Sequence, residues 1–268
     1  ASLPRGPLPK VIESNYRQIL ASREVTMTLA RLREAGVPVS YHAVDIRDHA
    51  TVRPLLLQLQ GEFGPIRGII HGAGVLADQR IEDKTRDQFE RVYQTKVSGL
   101  RNLLGAVRPD RLEFLCLFSS YTARYGRVGQ CDYAVANEVL NKLACQFAVD
   151  HPRTHVVSFN WGPWDGGMVT GGLKKLFAAE QVGLIPLTDG ANLVVQELSQ
   201  ATSRPVEVLV LGKNEDLPAA SAAPAVGPAP AQPVAFPLAT PPAATAPSAT
   251  VTRQPEPTPA PSVAPATS

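Results

Sequence analysis

The sequence predicts an α/β fold, a parallel β-sheet covered by helices on both faces, followed by a disordered tail. Three observations carry this reading. Short runs rich in Val, Ile and Phe alternate with longer stretches of helical periodicity. The runs are of strand length and largely apolar, as strands buried on both faces require. Composition then shifts near residue 216, beyond which the chain is mostly Pro, Ala, Ser and Thr.

Taken in order, a helical pattern covers residues 10–34 and stops at Gly36, with Pro38 just beyond. A first strand is expected at residues 40–45 and an amphipathic helix at 50–62. Strands at 66–71, 114–119, 156–160 and 206–212 alternate with helices at 86–107, 133–150 and 189–200. No internal repeat is present. Residues 1–215 therefore read as one α/β unit and residues 216–268 as a Pro/Ala-rich segment. From Leu217 onward that segment's only charges are Arg253 and Glu256. It cannot bury enough apolar surface to offset ordering entropy, so it is expected to be disordered, as an interdomain linker or a terminal tail.

Composition excludes several classes. The 268 residues carry a formal net charge of +2, with 44% hydrophobic and 19% charged residues. No Lys/Arg run concentrates the positive charge, so neither a nucleic acid nor a membrane surface is an expected partner. The longest apolar stretches, such as Val206 to Leu211, fall far short of a membrane span. Residues 1–10, rich in Pro and Gly, lack the apolar core of a signal peptide. Cys116, Cys131 and Cys145 have no metal-ligand spacing; they read as reduced thiols in a cytoplasmic protein without a metal.

The most informative segment is residues 118–137. A strand delivers Ser119 and Ser120 at its C-terminal end, where open α/β sheets place ligands. A glycine-containing loop follows, then a helix carrying Tyr133 and Asn137, whose i to i+4 spacing puts both on one face. Ser120 precedes Tyr133 by thirteen residues, and this spacing resembles that of the short-chain dehydrogenase/reductases. Most of that superfamily has Lys four residues after the Tyr; here the place is Asn137. The ketoreductase domains of polyketide and polyunsaturated-fatty-acid synthases exchange the two, taking Lys from an earlier helix. Lys96, twenty-four residues before Ser120, fits that arrangement.

The resemblance implies a Rossmann-like doubly wound sheet and reduction, by NADPH, of a β-ketoacyl chain held on an acyl carrier protein within a multidomain synthase. Tyr133 would act as general acid. An unperturbed phenol titrates near pH ~10, and the Lys96 ammonium is expected to lower that value. Ser120 would hydrogen-bond the reacting oxygen, and Asn137 would hold Lys96 or a relay water. For the cofactor, the resemblance implies Asp45 and Ile46 at the adenine end. It further implies His71, Gly72, Ala73 and Gly74 beside the ribose, and Asn160, Gly162 and Pro163 facing the nicotinamide. Asp78, Gln130 and Trp164 would contact substrate and control stereochemistry. Asp78 matches the last Asp of a motif found in D-alcohol-forming domains, although Ala77 departs from it. The tryptophan that marks the opposite class is Tyr125 here, so the D-hydroxy product is expected. Residues 166–184, with glycines and a short amphipathic pattern, suit a substrate lid.

No Gly-x-Gly-x-x-Gly run stands near the start of the sequence. By resemblance the chain enters the domain between its second and third strands. It is therefore expected to lack the glycine loop, to leave the sheet's centre as an open edge, and to fold poorly and bind NADPH weakly on its own. Two other readings stay open: a scaffolding half of a split ketoreductase, and a free-standing reductase of small carbonyl compounds. The retained catalytic set argues against the first; the Lys/Asn exchange and the Pro/Ala segment argue against the second.

Overall fold

The computed structural model describes residues 9–199 and 205–213 of the chain. These lie within the first of two units, residues 1–216; the tail expected to be disordered, 216–268, falls outside the described residues. The element order is α1 (Pro9–Glu34), α2 (His49–Phe63), β1 (Gly68–His71), α3 (Arg86–Tyr93) and α4 (Gly99–Leu104). There follow β2 (Phe114–Ser120), α5 (Thr122–Tyr125), α6 (Cys131–Asp150), β3 (His155–Trp161), α7 (Gly171–Ala179), α8 (Leu187–Leu198) and β4 (Glu207–Val210).

The four strands form one all-parallel sheet in the order β1-β2-β3-β4, with Leu115 opposite Ile69 and Val156 opposite Leu115 in register. Alternate residues of β2 then feed two different cores, as strand geometry dictates. Leu115 and Leu117, both 0% exposed, pack with Leu100 of α4 and Leu140, Ala144 and Phe147 of α6. Cys116 faces the other way, with Val157, Phe159 and Trp161 of β3 and Val194 of α8. Burying each such leucine contributes about 1.5–3 kcal/mol.

Local signals place the helices. Asp48 caps α2 by accepting from the Ala50 amide at 3.0 Å. Thr85 and Gln88 form a reciprocal capping box at the start of α3. The helical pattern expected over 86–107 is interrupted by a π-helical turn, Gln94–Ser98, between α3 and α4.

The strand expected at 40–45 does not form: those residues run without sheet pairing. β1 pairs with β2 alone, so its outer edge carries no partner strand among the described residues. A run that reads as a strand becomes one only when a neighbour offers its backbone groups. The cover of the sheet is also incomplete at this edge, where Ile70 stays 53% exposed beside the fully buried Cys116.

Candidate active site

At the C-terminal ends of β1, β2 and β3 the chain encloses a cleft of about 670 Å³. Lys96, Ser120 and Tyr133 line it. So do Gly72 and Gly74 after β1, Gly162 and Pro163 after β3, and Asp78, Gln130 and Trp164 along one wall. A concavity of about 710 Å³ also lies along α1, around Ile19 and Met27, but it is the face of a single helix and gathers none of the expected site residues.

The sheet positions the serines. Ser119 Oγ donates to the Asn137 carbonyl at 3.1 Å and to Asn160 Oδ1 at 3.2 Å, which ties β2 to α6 and β3. Ser120 Oγ instead accepts from the Thr122 amide at 3.3 Å and from Thr122 Oγ1 at 3.0 Å. Of the two hydroxyls, Ser120 is the one beside the Tyr133 phenol, which it stabilises in its ionised form.

Lys96 sits in the middle of the π-helical turn, with 3% of its surface exposed. Its ammonium donates to the Phe118 carbonyl at 2.9 Å and lies 5.4 Å from the centre of the Tyr133 ring. Burial pulls its pKa down to about 8. Gly74 lets the backbone pass close by: a Cβ there would lie 3.2 Å from Lys96 Cε. The turn itself is held by His71, whose Nε2 donates to the Lys96 carbonyl at 2.8 Å. Burial lowers the His71 pKa to about 4, so the ring is neutral with its proton on Nε2.

The Tyr133 phenol is pushed up rather than down. Its burial dominates, the Asp78 carboxylate adds to it, and the Asn137 and Ser120 side chains act in the opposite direction. The depression expected from Lys96 is not found, and the phenol holds its proton at neutral pH. Asn137, 0% exposed, donates to the Tyr133 carbonyl at 2.8 Å along α6 rather than bonding Lys96.

Several expected cofactor residues do not line the cleft. Asp45 is clamped by Arg47, whose Nη2 donates to Oδ2 at 2.6 Å, and these bonds lower its pKa to about 2. Ile46 packs against Gly99, where a Cβ would come within 2.9 Å of it, and its carbonyl accepts from Asn102 at 2.9 Å. His71 and Ala73 are not among the lining residues. Asn160, 3% exposed, spends Oδ1 on Ser119 and on Asn141 at 2.9 Å.

Three functional candidates escape sequence reasoning. Arg127 donates to Glu180 at 3.0 Å and lies 4.9 Å over the Phe177 ring of α7, tying α7 to the loop before α6. Lys84 and Asp132 form an ion pair beneath the cleft wall. None has a periodicity or spacing signal, because each partner is far away in sequence. Among the described residues no cluster of His, Cys, Asp and Glu could hold a metal ion, and no helix is long and apolar enough to cross a membrane.

A family profile described as the KR domain matches residues 14–166. One component chain of the polyunsaturated fatty acid synthase of Thraustochytrium sp. is 40% identical over 205 residues, covering 76% of this chain and 7% of that protein. The chain thus spans a small fraction of that relative's length. A ketoreductase domain from the bacillaene assembly line superposes with a TM-score of 0.61 at 34% identity, covering 68% of this chain and 45% of that one. An alcohol dehydrogenase from the archaeon Thermococcus sibiricus, complexed with 5-hydroxy-NADP, shares the fold with a TM-score of 0.62 at 18% identity. It covers 73% of this chain and 84% of that one.

Proposed function

Because the chain belongs to the KR domain family, the ketoreductase domains of polyketide and polyunsaturated-fatty-acid synthases, we propose that it reduces a β-ketoacyl thioester to the β-hydroxyacyl thioester. The observation that carries this reading is the convergence of a buried, protonated Tyr133, the Ser120 hydroxyl and the buried Lys96 on one cleft.

The residues present fit the nicotinamide end of NADPH, which when bound supplies the hydride. Gly72 and Gly74 offer bare backbone on one side of the cleft, and Gly162 and Pro163 border it further along. The Lys96 ammonium lies 5.4 Å from the centre of the Tyr133 ring. The adenine-end roles of Asp45 and Ile46 are proposed on resemblance alone, as are those of Ala73 and Asn160. His71 serves the site through the Lys96 turn.

In the reaction the ketone oxygen lies between Ser120 and Tyr133. As the carbonyl carbon gains hydride, its oxygen gains charge, and the Ser120 hydroxyl hydrogen-bonds it. Tyr133 gives its proton to that oxygen and becomes a phenolate. Burial keeps the phenol protonated but makes it a weaker acid, so the positive Lys96 has to stabilise the anion it leaves behind. Asp78, Gln130 and Trp164 would hold the acyl chain, with the D-alcohol as product. The substrate would arrive on an acyl carrier protein within a larger synthase. The unbridged cysteines suit a reducing, cytoplasmic setting.

Retention of Lys96, Ser120, Tyr133 and Asn137 supports a catalytic domain over a purely scaffolding half. The test is NADPH consumption with a simple β-ketoacyl thioester, by the chain and by its Tyr133→Phe variant. The variant should lose at least about 10²–10⁴-fold in turnover, the share of a positioned acid. A folded chain that binds NADPH yet reduces nothing would overturn the reading in favour of scaffolding.

A further inference from the structure

A buried ion pair lies just outside the cleft and has no part in the chemistry above. Lys84 Nζ and Asp132 Oδ2 are 2.8 Å apart, with side chains 3% and 0% exposed. A pair so deeply buried is a weak source of stability, since apolar residues of similar volume usually serve as well. Its position is more telling than its energy.

We propose that Lys84 is a positioning residue, whose pairing with Asp132 sets the register between the cleft wall at Asp78 and the helix that presents Tyr133. The contacts run in one line. Lys84 Nζ also donates to the carbonyl of Ala77, the residue before Asp78, at 2.8 Å. At the other end, Asp132 Oδ1 accepts from the amide of Tyr133 at 2.9 Å, in the first turn of α6. One ammonium and one carboxylate thus join the backbone beside the wall to the backbone of the proposed acid. Two outer bonds follow the same seam: the Gln79 amide to the Gly129 carbonyl, and Gln130 Nε2 to Asp78 Oδ2, each at 2.9 Å.

The consequence follows from the chemistry of a ketone, which offers two faces to the hydride. The side that is attacked depends on where the wall holds the acyl chain relative to the phenol. Lys84 and Asp132 do not line the cleft, so they act only through what they hold. This inference rests on the ketone-reducing reading of the site.

The experiment uses the full chain, the variant Lys84→Met and the double variant Lys84→Met with Asp132→Leu. The double variant leaves no lone buried carboxylate and so guards against simple misfolding. The first readout, amide hydrogen exchange, needs no activity. The Gln79 amide, whose partner neither substitution touches, should exchange faster in both variants while β2 and β3 keep their protection. The second is reduction of a β-ketoacyl thioester. Both variants should show a raised KM, a product alcohol of mixed configuration, and kcat/KM lower by roughly 10–100-fold, the scale of a displacement of about 1 Å. A merely structural pair would lower thermal stability in Lys84→Met, recover in the double variant, and leave Gln79 exchange and product configuration unchanged; that result overturns the proposal. Should the unmodified chain fold and bind NADPH yet reduce nothing, the ketone-reducing reading fails, and Gln79 exchange alone decides whether Lys84 sets the register.

Discussion

His71 makes the fold sensitive to acid, and the size of the effect follows from its surroundings. The ring is 2% exposed, donates to the Lys96 carbonyl and sits near the Lys96 ammonium, and its pKa falls from 6.5 to about 4. In the unfolded chain it titrates at its ordinary value. Between these two values the unfolded state binds the proton and the folded state does not, so stability falls as pH falls through that window. A shift of this size corresponds to about 3 kcal/mol, gained in full above pH ~6.5 and lost by pH ~4. That is a large share of the roughly 5–15 kcal/mol that holds a domain together. The assay is urea unfolding across this range, followed by fluorescence of the chain's two tryptophans, Trp161 and Trp164, which pack together in one aromatic cluster. The His71→Asn variant should be less stable at neutral pH by about 1 kcal/mol for the altered hydrogen bond, yet flatter towards acid. The Asp45 carboxylate, with its pKa lowered to about 2, loses its own contribution only below this window, so the difference between the two curves isolates His71. Parallel curves for the two proteins would refute the reasoning.

Other expectations follow from the same geometry. Lys96, with its pKa near 8, should make kcat/KM of the free enzyme fall above about pH 8 as the ammonium is lost; in Lys96→Met that limb should be absent from a much reduced activity. Stability moves the other way: from about pH 8 to 10.5 the unfolded chain holds the proton more tightly, so the apo chain should gain stability on going alkaline, and Lys96→Met should not. Arg127→Gln should loosen α7 by removing a partly exposed pair worth up to about 1 kcal/mol. It should raise KM by up to about fivefold with kcat unchanged, and an unaltered KM would show that the pair does not hold α7 over the cleft.

How much of this was legible depends on how local each feature is. The i to i+4 pair Tyr133 and Asn137 and the strand ending at Ser120 are local patterns, and the structure forms the elements they imply. Residues 40–45 have a strand's composition but lack a neighbour to pair with, and pairing is a property of the sheet rather than of the run. Asn160 lies near the C-terminal end of β3, where open sheets place ligands, yet Ser119 and Asn141 claim its carbonyl across distances in sequence that no local pattern records. The same holds for the direction of the Tyr133 pKa. A lysine in the right order along the chain suggests a lowered value, but the depth of burial decides, and depth is set by α3, α6 and the π-helical turn closing together. Lys96 itself stands out only by resemblance. What places it beside the Tyr133 ring is the π-helical turn, held from below by His71 and given room by Gly74. Side chains proposed to act on substrate, Ser120 and Tyr133, leave a trace in spacing because their elements are contiguous. Those that hold them in place, Lys84 with Asp132 and His71 with the Lys96 turn, meet only after the chain has folded.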